Sequence, residues 1–212
     1  MDIVEGLQWR YATKKFDENR KVPDDKIEVL TKAFNLTATS YGLQPVKLLV
    51  ISDDEVQERL MAHSFNQMQV ASASHVLVFC IEKELSDRFV HDYFDKVKKI
   101  RETPEEILAP FRETLAQQFQ EQDAEKARAW AVNQAYLAMG NLMTVCALER
   151  IDACPMEGFE PEKYDRELNL EEEGLTTVLL MPIGYRAADD MFSDFKKVRR
   201  PRSETVIYFD TK

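Results

Sequence analysis

Short apolar runs of strand length recur along the chain. Residues 47–52 (KLLVIS), 76–81 (VLVFCI) and 175–184 (LTTVLLMPIG) are such runs, and the few polar residues in the last two predict strands buried on both faces of a sheet. A further run, residues 205–209 (TVIYF), lies alone near the C-terminus. It is a strand candidate that must pair with a sheet edge, either in its own subunit or in a partner's.

Between these runs, apolar residues recur at helical spacing. The pattern predicts helices over residues 2–10, from Pro23 onward, over residues 53–65, and two charged helices within residues 86–122 that are divided near Pro104. Pro23 and the two aspartates after it suit a first helical turn, because proline lacks the N–H group and acids complement the helix dipole. Helices interleaved with a few strands predict one α+β domain over residues 1–212, with residues 86–122 as a helical excursion.

Residues 125–149 form the longest predicted helix. Its stretch AVNQAYLAMGNLMTVCAL is apolar almost all round, which predicts a central, buried position. Ala135, Ala138 and Gly140 are small, so a second helix can approach this one closely.

The charge balance limits the partners that the chain can take. Asp and Glu number 38 against 28 Lys and Arg, which gives a formal charge of −10. The overall field of such a protein repels nucleic acid and anionic membranes, and neither is expected as a partner. Residues 196–202 (KKVRRPR) are the local exception; they indicate a specific anion site, with a solvated or dimer-contact segment as the alternative.

Cysteine usage and the N-terminal sequence favour the cytoplasm. Cys80, Cys146 and Cys154 are the three cysteines, and an odd count without a CxxC pair suits buried free thiols in a reducing compartment. The first sixteen residues carry acids where a signal peptide has bases, and no apolar stretch approaches the roughly 20 residues of a membrane span.

The common catalytic signatures are missing. The six glycines are too scattered for a dinucleotide-binding GxGxxG turn, and the sequence has neither a phosphate-binding GxxxxGK[ST] loop nor a GxSxG elbow. The three histidines lack metal-ligand spacing, so no metal site is expected, and His75, next to a buried strand, is interpreted as structural. If the chain is an enzyme, a cofactor rather than a catalytic side chain should carry the chemistry.

Four segments in this order resemble the oxygen-insensitive nitroreductase family. They are residues 10–16 (RYATKKF), 40–45 (SYGLQP), 155–159 (PMEGF) and 197–201 (KVRRP), and Asn66 and residues 73–80 (ASHVLVFC) fit the same pattern. Each segment alone is weak, but four collinear segments extend the resemblance over nearly the whole chain.

The resemblance implies a fold, an assembly and a cofactor. It implies a nitroreductase-like α+β fold with a central, mainly antiparallel sheet flanked by helices. It also implies an intertwined homodimer in which a C-terminal arm, about residues 196–212, crosses to the partner's sheet, and one FMN per subunit in a cleft between the subunits. The electron donor would be NAD(P)H, with hydride passing through the flavin N5 to a small-molecule acceptor by a ping-pong mechanism; nitroaromatics and quinones are the acceptor classes it suggests.

The resemblance also assigns roles to individual residues. The FMN phosphate would be held by Arg10, Lys197 and Arg199, and the reduced flavin would be stabilised by Lys14. The remaining flavin contacts would come from Tyr11, Ala12, Asn66, Gln69, Pro155, Met156, Glu157 and Gly158, and from Thr39, Ser40, Gly42 and Gln44 of the other subunit. Plainer alternatives exist for these roles. They are a surface cation at a helix end for Arg10, an exposed loop lysine for Lys14, a solvated basic tail for Lys197 and Arg199, a helix-ending residue for Asn66, and ordinary turns or connections for the remaining loop residues.

Two residues depart from the family pattern. Ala12 stands where the family often has a serine that contacts the phosphate, and Gln69 where many relatives have a second lysine near the pyrimidine ring. A neutral amide should stabilise reduced flavin less than a cation does. These departures leave open a flavin-binding or regulatory dimer with little turnover, and a helical interaction domain without a cofactor is a third hypothesis. Phe94, Phe111 and Phe119 would line the acceptor pocket or belong to the core.

Overall fold

The computed structural model describes residues 2–209, and its centre is a four-stranded sheet. The strands are β1 (Val46–Ile51), β2 (His75–Glu82), β3 (Asp152–Ala153) and β4 (Leu175–Gly184). Their order across the sheet is β1-β2-β4-β3, and every neighbouring pair is antiparallel. The prediction of an α+β fold with a mainly antiparallel sheet is confirmed. Residues 1 and 210–212, which the predicted domain and arm include, lie outside the described residues.

The two central strands separate two cores. Leu77, Phe79 and Ile81 of β2 join Leu179, Met181 and Ile183 of β4 in one hydrophobic cluster, whereas Val76, Val78, Cys80 and Leu180 join the cluster on the other face. Successive side chains of a strand point to opposite faces, so a strand covered on both sides must be apolar at every position. This explains why residues 76–81 of β2 and 178–183 of β4 are apolar at every position.

Eight α-helices accompany the sheet within the described residues. They are α1 (Ile3–Trp9), α2 (Asp24–Asn35), α3 (Asp54–Ala62), α4 (Asp87–Arg101), α5 (Glu105–Glu121), α6 (Ala124–Leu148), α7 (Pro161–Glu167) and α8 (Arg202–Thr205), and a 3₁₀ turn, Ser40–Gly42, precedes β1. Two N-caps are explicit: Asp53 accepts the Val56 N–H at 2.9 Å, and Asp123 accepts the Glu125 N–H at 3.0 Å. Each such cap is worth about 1 kcal/mol.

The long helix α6 lies across the first core, as its sequence predicts. Its buried side is built largely from small residues, including Ala131, Ala135 and Ala138, all 0% exposed. The helix packs against α1, α2, β2 and β4. The division of residues 86–122 into two helices at Pro104 is also confirmed, with Pro104 preceding α5.

Two expectations about the ends of elements need comment. Thr205 ends helix α8, and Val206–Phe209 pair with no strand within residues 2–209, so the strand candidate over residues 205–209 finds no edge in its own subunit; pairing with a partner's sheet stays a prediction. A strand is stable only when it pairs, and the sequence pattern cannot supply the partner edge. The helix predicted over residues 53–65 ends at Ala62, since Phe65 and Asn66 adopt left-handed φ angles of 54° and 55°.

All three cysteines are buried and unbridged, as predicted. Burial raises the pKa of Cys80 and of Cys146 to about 12, so neither thiol ionises near neutral pH. His75 is also structural: its Nδ1 lies 2.9 Å from the Ser74 hydroxyl in a buried position. None of the helices between residues 2 and 209 combines the length and the apolar character that crossing a bilayer requires.

Candidate functional site

The segment after α1 is fastened to the edge of the sheet. Ala12 forms a bridge with Ala153 of β3, and Phe16 forms one with Arg186, just beyond β4. The Arg186 guanidinium is fixed in turn by buried Asp152, with Nε and Nη2 at 2.9 and 2.6 Å from Oδ1. Its plane also lies 4.5 Å from the ring centroid of Tyr11. Residues 10–16 are therefore an irregular segment that is fastened to the sheet edge at two points, and this segment is called the ledge below.

A buried carboxylate holds the same ledge from its other side. Oδ2 of Asp190 accepts the Tyr11 hydroxyl at 2.8 Å and the Lys14 backbone N–H at 3.0 Å. Burial alone would raise the pKa of Asp190, but hydrogen bonds from the Phe192 N–H, Tyr11 and the backbone of Lys14 and Lys15 outweigh it and lower the pKa. Asp190 therefore remains ionised at neutral pH.

Three predicted phosphate-binding cations come together from opposite ends of the chain. The Lys197 ammonium donates to the backbone carbonyls of Leu7, at 2.6 Å, and Arg10. Burial and the charge of Arg199 lower the pKa of Arg10, and burial and the charges of Arg10 and Arg199 lower the pKa of Lys197. These mutual effects mean that the three positive charges repel one another across a short distance.

The cluster lacks a counter-charge in the part of the chain that the structure describes. Between residues 2 and 209 no carboxylate forms an ion pair with Arg10, Lys197 or Arg199, and the buried Nε of Arg10 has no hydrogen-bond partner. A buried, unsatisfied donor of a charged group is costly. An anionic ligand such as a phosphate would satisfy that donor and neutralise the repulsion, so the residues present fit a phosphate group.

Lys14 lies beside the turn after β3. Its ammonium nitrogen is 3.7 Å from the Sγ atom of Cys154, which is 0% exposed. Burial raises the pKa of the Cys154 thiol even though the charges of Lys14 and Arg10 oppose that effect, so the sulfur is neutral. Lys14 is an exposed residue, so its ammonium is accessible to a ligand on the ledge.

Two further predicted segments meet next to this ledge. Met156 bridges Leu180 of β4, and Gln69 donates to the Met156 sulfur at 3.7 Å and to Gln67 at 3.0 Å. Gln67 in turn donates to the Gly158 carbonyl at 2.7 Å. The structure thus joins the turn of residues 155–158 to the loop that carries Asn66 and Gln69.

Glu157 and Asn66, two of the predicted flavin contacts, are both exposed but differ in their hydrogen bonds. Glu157 is exposed and accepts the Tyr136 hydroxyl of α6 at 2.6 Å, which ties the turn to the long helix. Asn66 is exposed in a left-handed conformation and its backbone N–H donates to Met61. Its predicted flavin contact stays a prediction.

The residues assigned to the partner's site lie elsewhere in the chain. Ser40 donates its N–H to Gln134 of α6 at 2.8 Å, and the Gln44 side chain donates to the Asn35 carbonyl at 3.0 Å. Gly42 has a φ of 76°, a left-handed backbone conformation that favours glycine, and a Cβ there would displace the Tyr93 hydroxyl, which lies 2.5 Å away. Within residues 2–209, no hydrogen bond joins Thr39, Ser40, Gly42 or Gln44 to the cation cluster, and their role needs a second subunit.

Sequence reasoning missed the supports of the site. Asp190, Asp152 with Arg186, and Tyr136 carry no motif of their own, and each acts on a residue distant in sequence, up to 179 positions away for Asp190 and Tyr11. Only the burial of a charged residue distinguishes Asp152 and Asp190, both 3% exposed, and burial follows from the fold.

The geometry defines a class of protein: an α+β protein with a ledge at a sheet edge and an uncompensated cation cluster suited to a phosphate-bearing ligand. Residues 7–185 match the model of the nitroreductase family. The YfkO protein of Bacillus subtilis is 30% identical over 88% of this chain and 90% of its own. The oxygen-insensitive NAD(P)H nitroreductase of Salmonella typhimurium is 28% identical over 97% of this chain and 99% of its own.

Solved structures agree with the fold. A nitroreductase-type structure from Exiguobacterium sibiricum, solved in complex with FMN, superposes with a TM-score of 0.82 at 22% identity, covering 99% of this chain and 98% of that one. The chain belongs to the nitroreductase family, as its four collinear segments predicted.

Proposed function

We propose that the protein is an FMN-dependent oxidoreductase that takes electrons from NAD(P)H and passes them to small electron-poor acceptors. The observation that carries the proposal is the cluster of Arg10, Lys197 and Arg199, which holds a buried unsatisfied donor and no counter-charge within residues 2–209. A solvated basic tail, the plainer alternative for Lys197 and Arg199, does not account for the contact of Lys197 with the end of α1.

The ledge and the residues around it would each hold a different part of the cofactor. Arg10, Lys197 and Arg199 would bind the phosphate, and the exposed ammonium of Lys14 would lie toward the pyrimidine edge, where negative charge collects on reduction. Gln69 would offer an amide to the same edge, and residues 155–158 would lie against the ring system. When bound, FMN supplies the hydride chemistry at N5, in a ping-pong sequence in which NAD(P)H leaves before the acceptor binds.

The relatives support this cofactor and donor. The Salmonella typhimurium protein is named an NAD(P)H nitroreductase, and the Exiguobacterium sibiricum structure contains FMN. Nitroaromatics and quinones are the acceptor classes that we propose, with the cytoplasm as the compartment.

The working form that we propose is a homodimer. The outward face of α6 carries Tyr136 and Leu137, 44% and 54% exposed, and Gly140 follows on the same stripe, with no atom within 4 Å of where its Cβ would be. An apolar helical stripe with a small residue at its centre suits close packing against a second copy of the helix. Thr39, Ser40, Gly42 and Gln44 would then complete the partner's flavin site.

The C-terminal arm supports the same assembly. Every residue from 194 to 209 is exposed, and Ile207 and Phe209 are each 89% exposed in the single chain. Large apolar side chains at this exposure indicate a surface that another chain covers. We propose that the arm from about residue 196 reaches across the partner, within a single domain whose helical excursion is residues 86–122.

The helical excursion offers one aromatic residue to an acceptor. Phe94 and Phe119 are 3% and 4% exposed and belong to the core, whereas Phe111 is 50% exposed and its ring centroid lies 6.4 Å from that of Tyr41. We therefore retain Phe111 alone of the three as a candidate lining residue of the acceptor pocket.

Spectroscopy of the purified protein tests the proposal. We expect yellow protein, or apoprotein that FMN turns yellow, bleaching on addition of NADPH or NADH under nitrogen, and return of the colour with a quinone or nitroaromatic. Yellow protein that neither nucleotide bleaches would favour the alternative, a flavin-binding or regulatory dimer with little turnover. Protein that cannot be loaded with FMN would contradict both.

A further inference from the structure

Asp190 accepts three hydrogen bonds from residues of the ledge. Its Oδ2 accepts the Tyr11 hydroxyl at 2.8 Å and the backbone N–H groups of Lys14 and Lys15 at 3.0 and 3.4 Å. Its Oδ1 accepts the N–H of Phe192 at 3.1 Å. Both carboxylate oxygens are therefore committed as acceptors, and three of the four donors belong to residues 11–15.

The contact is reciprocal and lies where the C-terminal arm leaves the body of the protein. Ala187 donates its N–H to the Lys15 carbonyl at 3.0 Å, so residues 187–190 both give and receive hydrogen bonds from the ledge. The exposed segment that carries Lys197 and Arg199 begins four residues after Asp190, at Asp194. The turn of residues 187–190 thus connects the ledge to the start of the C-terminal arm.

The environment of Asp190 is costly for a charge that serves stability alone. The residue is 3% exposed, and within residues 2–209 it has no cationic partner, only N–H and O–H donors. An uncharged residue of similar size would avoid the desolvation of an unpaired buried carboxylate. A charge kept at such a place is consistent with a need to hold several donors in one exact arrangement.

We propose that Asp190 is the positioning residue of the flavin site: it aligns Tyr11–Lys14 with the root of the arm, so that Arg10, Lys14, Lys197 and Arg199 surround a single cofactor. This inference rests on the proposed FMN function. Asp190 itself touches no cofactor in this account; it acts through the backbone of Lys14 and the hydroxyl of Tyr11.

Three variants test the proposal against a purely structural role. Asp190→Asn keeps the size but turns one acceptor into an amide donor facing N–H groups, and Tyr11→Phe removes only one of the four donors. Asp165→Asn is the matched control. Asp165 lies in α7, is 6% exposed, and accepts hydrogen bonds from the Thr176 hydroxyl and the Thr177 N–H, both at 2.7 Å.

The readouts are FMN affinity of the apoprotein, by quenching of flavin fluorescence, the midpoint potential of the loaded protein, and thermal unfolding. We expect Asp190→Asn to weaken FMN binding by about tenfold or more, which corresponds to the loss of one or more charged hydrogen bonds. The midpoint potential should become more negative, because the substitution displaces Lys14. Tyr11→Phe should change both in the same direction by less. Asp165→Asn should lower the unfolding temperature but leave affinity and potential as in the wild type.

The outcomes separate the two proposals. If both Asp190→Asn and Tyr11→Phe bind FMN as the wild type does, at an unchanged potential, Asp190 is not a positioning residue. The same conclusion follows if Asp165→Asn loses FMN as strongly as Asp190→Asn at equal loss of stability. If Asp190→Asn does not fold, Tyr11→Phe decides alone. A wild-type protein that fails to bind FMN would instead overturn the proposed function.

Discussion

The ammonium of Lys197 donates a hydrogen bond to the backbone carbonyl of Arg10, although 187 positions separate the two residues. The carbonyl belongs to the C-cap residue that follows helix α1, where the helix dipole leaves a partial negative charge. The contact places a second cation beside Arg10, and no acidic residue among residues 2–209 forms an ion pair with either of them. A fold that assembles like charges from both ends of a chain loses stability unless a ligand compensates for them.

Replacement of Arg199 tests that compensation. We expect Arg199→Ala to weaken FMN binding by about tenfold to a hundredfold, the loss of one charge-assisted contact to phosphate of about 1.5–3 kcal/mol. The apoprotein should unfold at the same temperature or slightly higher, because the charge of Arg199 disfavours that of Arg10. Equilibrium dialysis and thermal unfolding measure the two effects.

The neighbouring Arg200 supplies the control for this experiment. It is exposed in the same basic segment but carries no predicted phosphate contact, so Arg200→Ala should keep wild-type affinity at fixed ionic strength. Equal losses from the two substitutions would mean that the segment acts only through its general positive field, and the assignment of Arg199 would be wrong.

Lys14 should set the reduction potential of the flavin. Lys14 is exposed and its ammonium lies 3.7 Å from the Cys154 Sγ atom. A cation near the pyrimidine edge stabilises the reduced, anionic flavin. We expect Lys14→Ala to lower the midpoint potential by on the order of 30 mV, the equivalent of about 1.4 kcal/mol for a two-electron couple.

Lys15→Ala is the matched control for Lys14. The Lys15 ammonium pairs with Asp189 at 2.5 Å, at the exposed surface, and should leave the potential unchanged. The potentials are measured by equilibration with a reference dye. An unaltered potential in Lys14→Ala would remove Lys14 from this role.

Long-range contacts mark the limit of what the sequence could predict. Strands β2 and β4 and helix α6 were predictable because their burial on all sides leaves long apolar runs, and Pro104 and Asp53 marked helix starts. Strand β3 has two residues and exists only through its pairing with β4, which no local pattern encodes. The cations of the site could be predicted from the family motifs, whereas Asp190 could not, because its role depends on donors far away in the sequence.

A substitution in the exposed stripe of α6 (Tyr136, Leu137 and Gly140) should prevent dimer formation without preventing folding. Gly140→Leu should raise the helix propensity of α6 by nearly 1 kcal/mol, and no atom lies within 4 Å of the added Cβ in the single chain. We expect a folded protein that sediments as a monomer and binds FMN poorly, since the partner's contribution to the site is lost. Gln120→Trp, at an exposed position of α5, should remain dimeric. A dimeric Gly140→Leu protein with wild-type affinity would contradict the proposed interface.

His75 should make the protein less stable in mild acid. Burial lowers the pKa of His75 from its usual 6.5, and the nearby charge of Lys21 lowers it further, while Asp24 opposes both. The unfolded chain therefore takes up a proton before the folded one does as the pH falls. Stability contributed by neutral His75 is complete above pH 6.5 and is lost as the pH falls toward the lowered folded pKa.

Urea unfolding at pH 7.5 and at pH 5.5 measures this loss. We expect the free energy of unfolding of the wild type to be lower at pH 5.5, and the difference between the two pH values to shrink in His75→Gln. The glutamine amide can still form a hydrogen bond with the Ser74 hydroxyl, which lies 2.9 Å from Nδ1 of His75. His63→Gln controls for the loss of a histidine outside the buried strand. If the pH dependence of His75→Gln equals that of the wild type, His75 does not carry the effect, and other groups must account for any acid sensitivity.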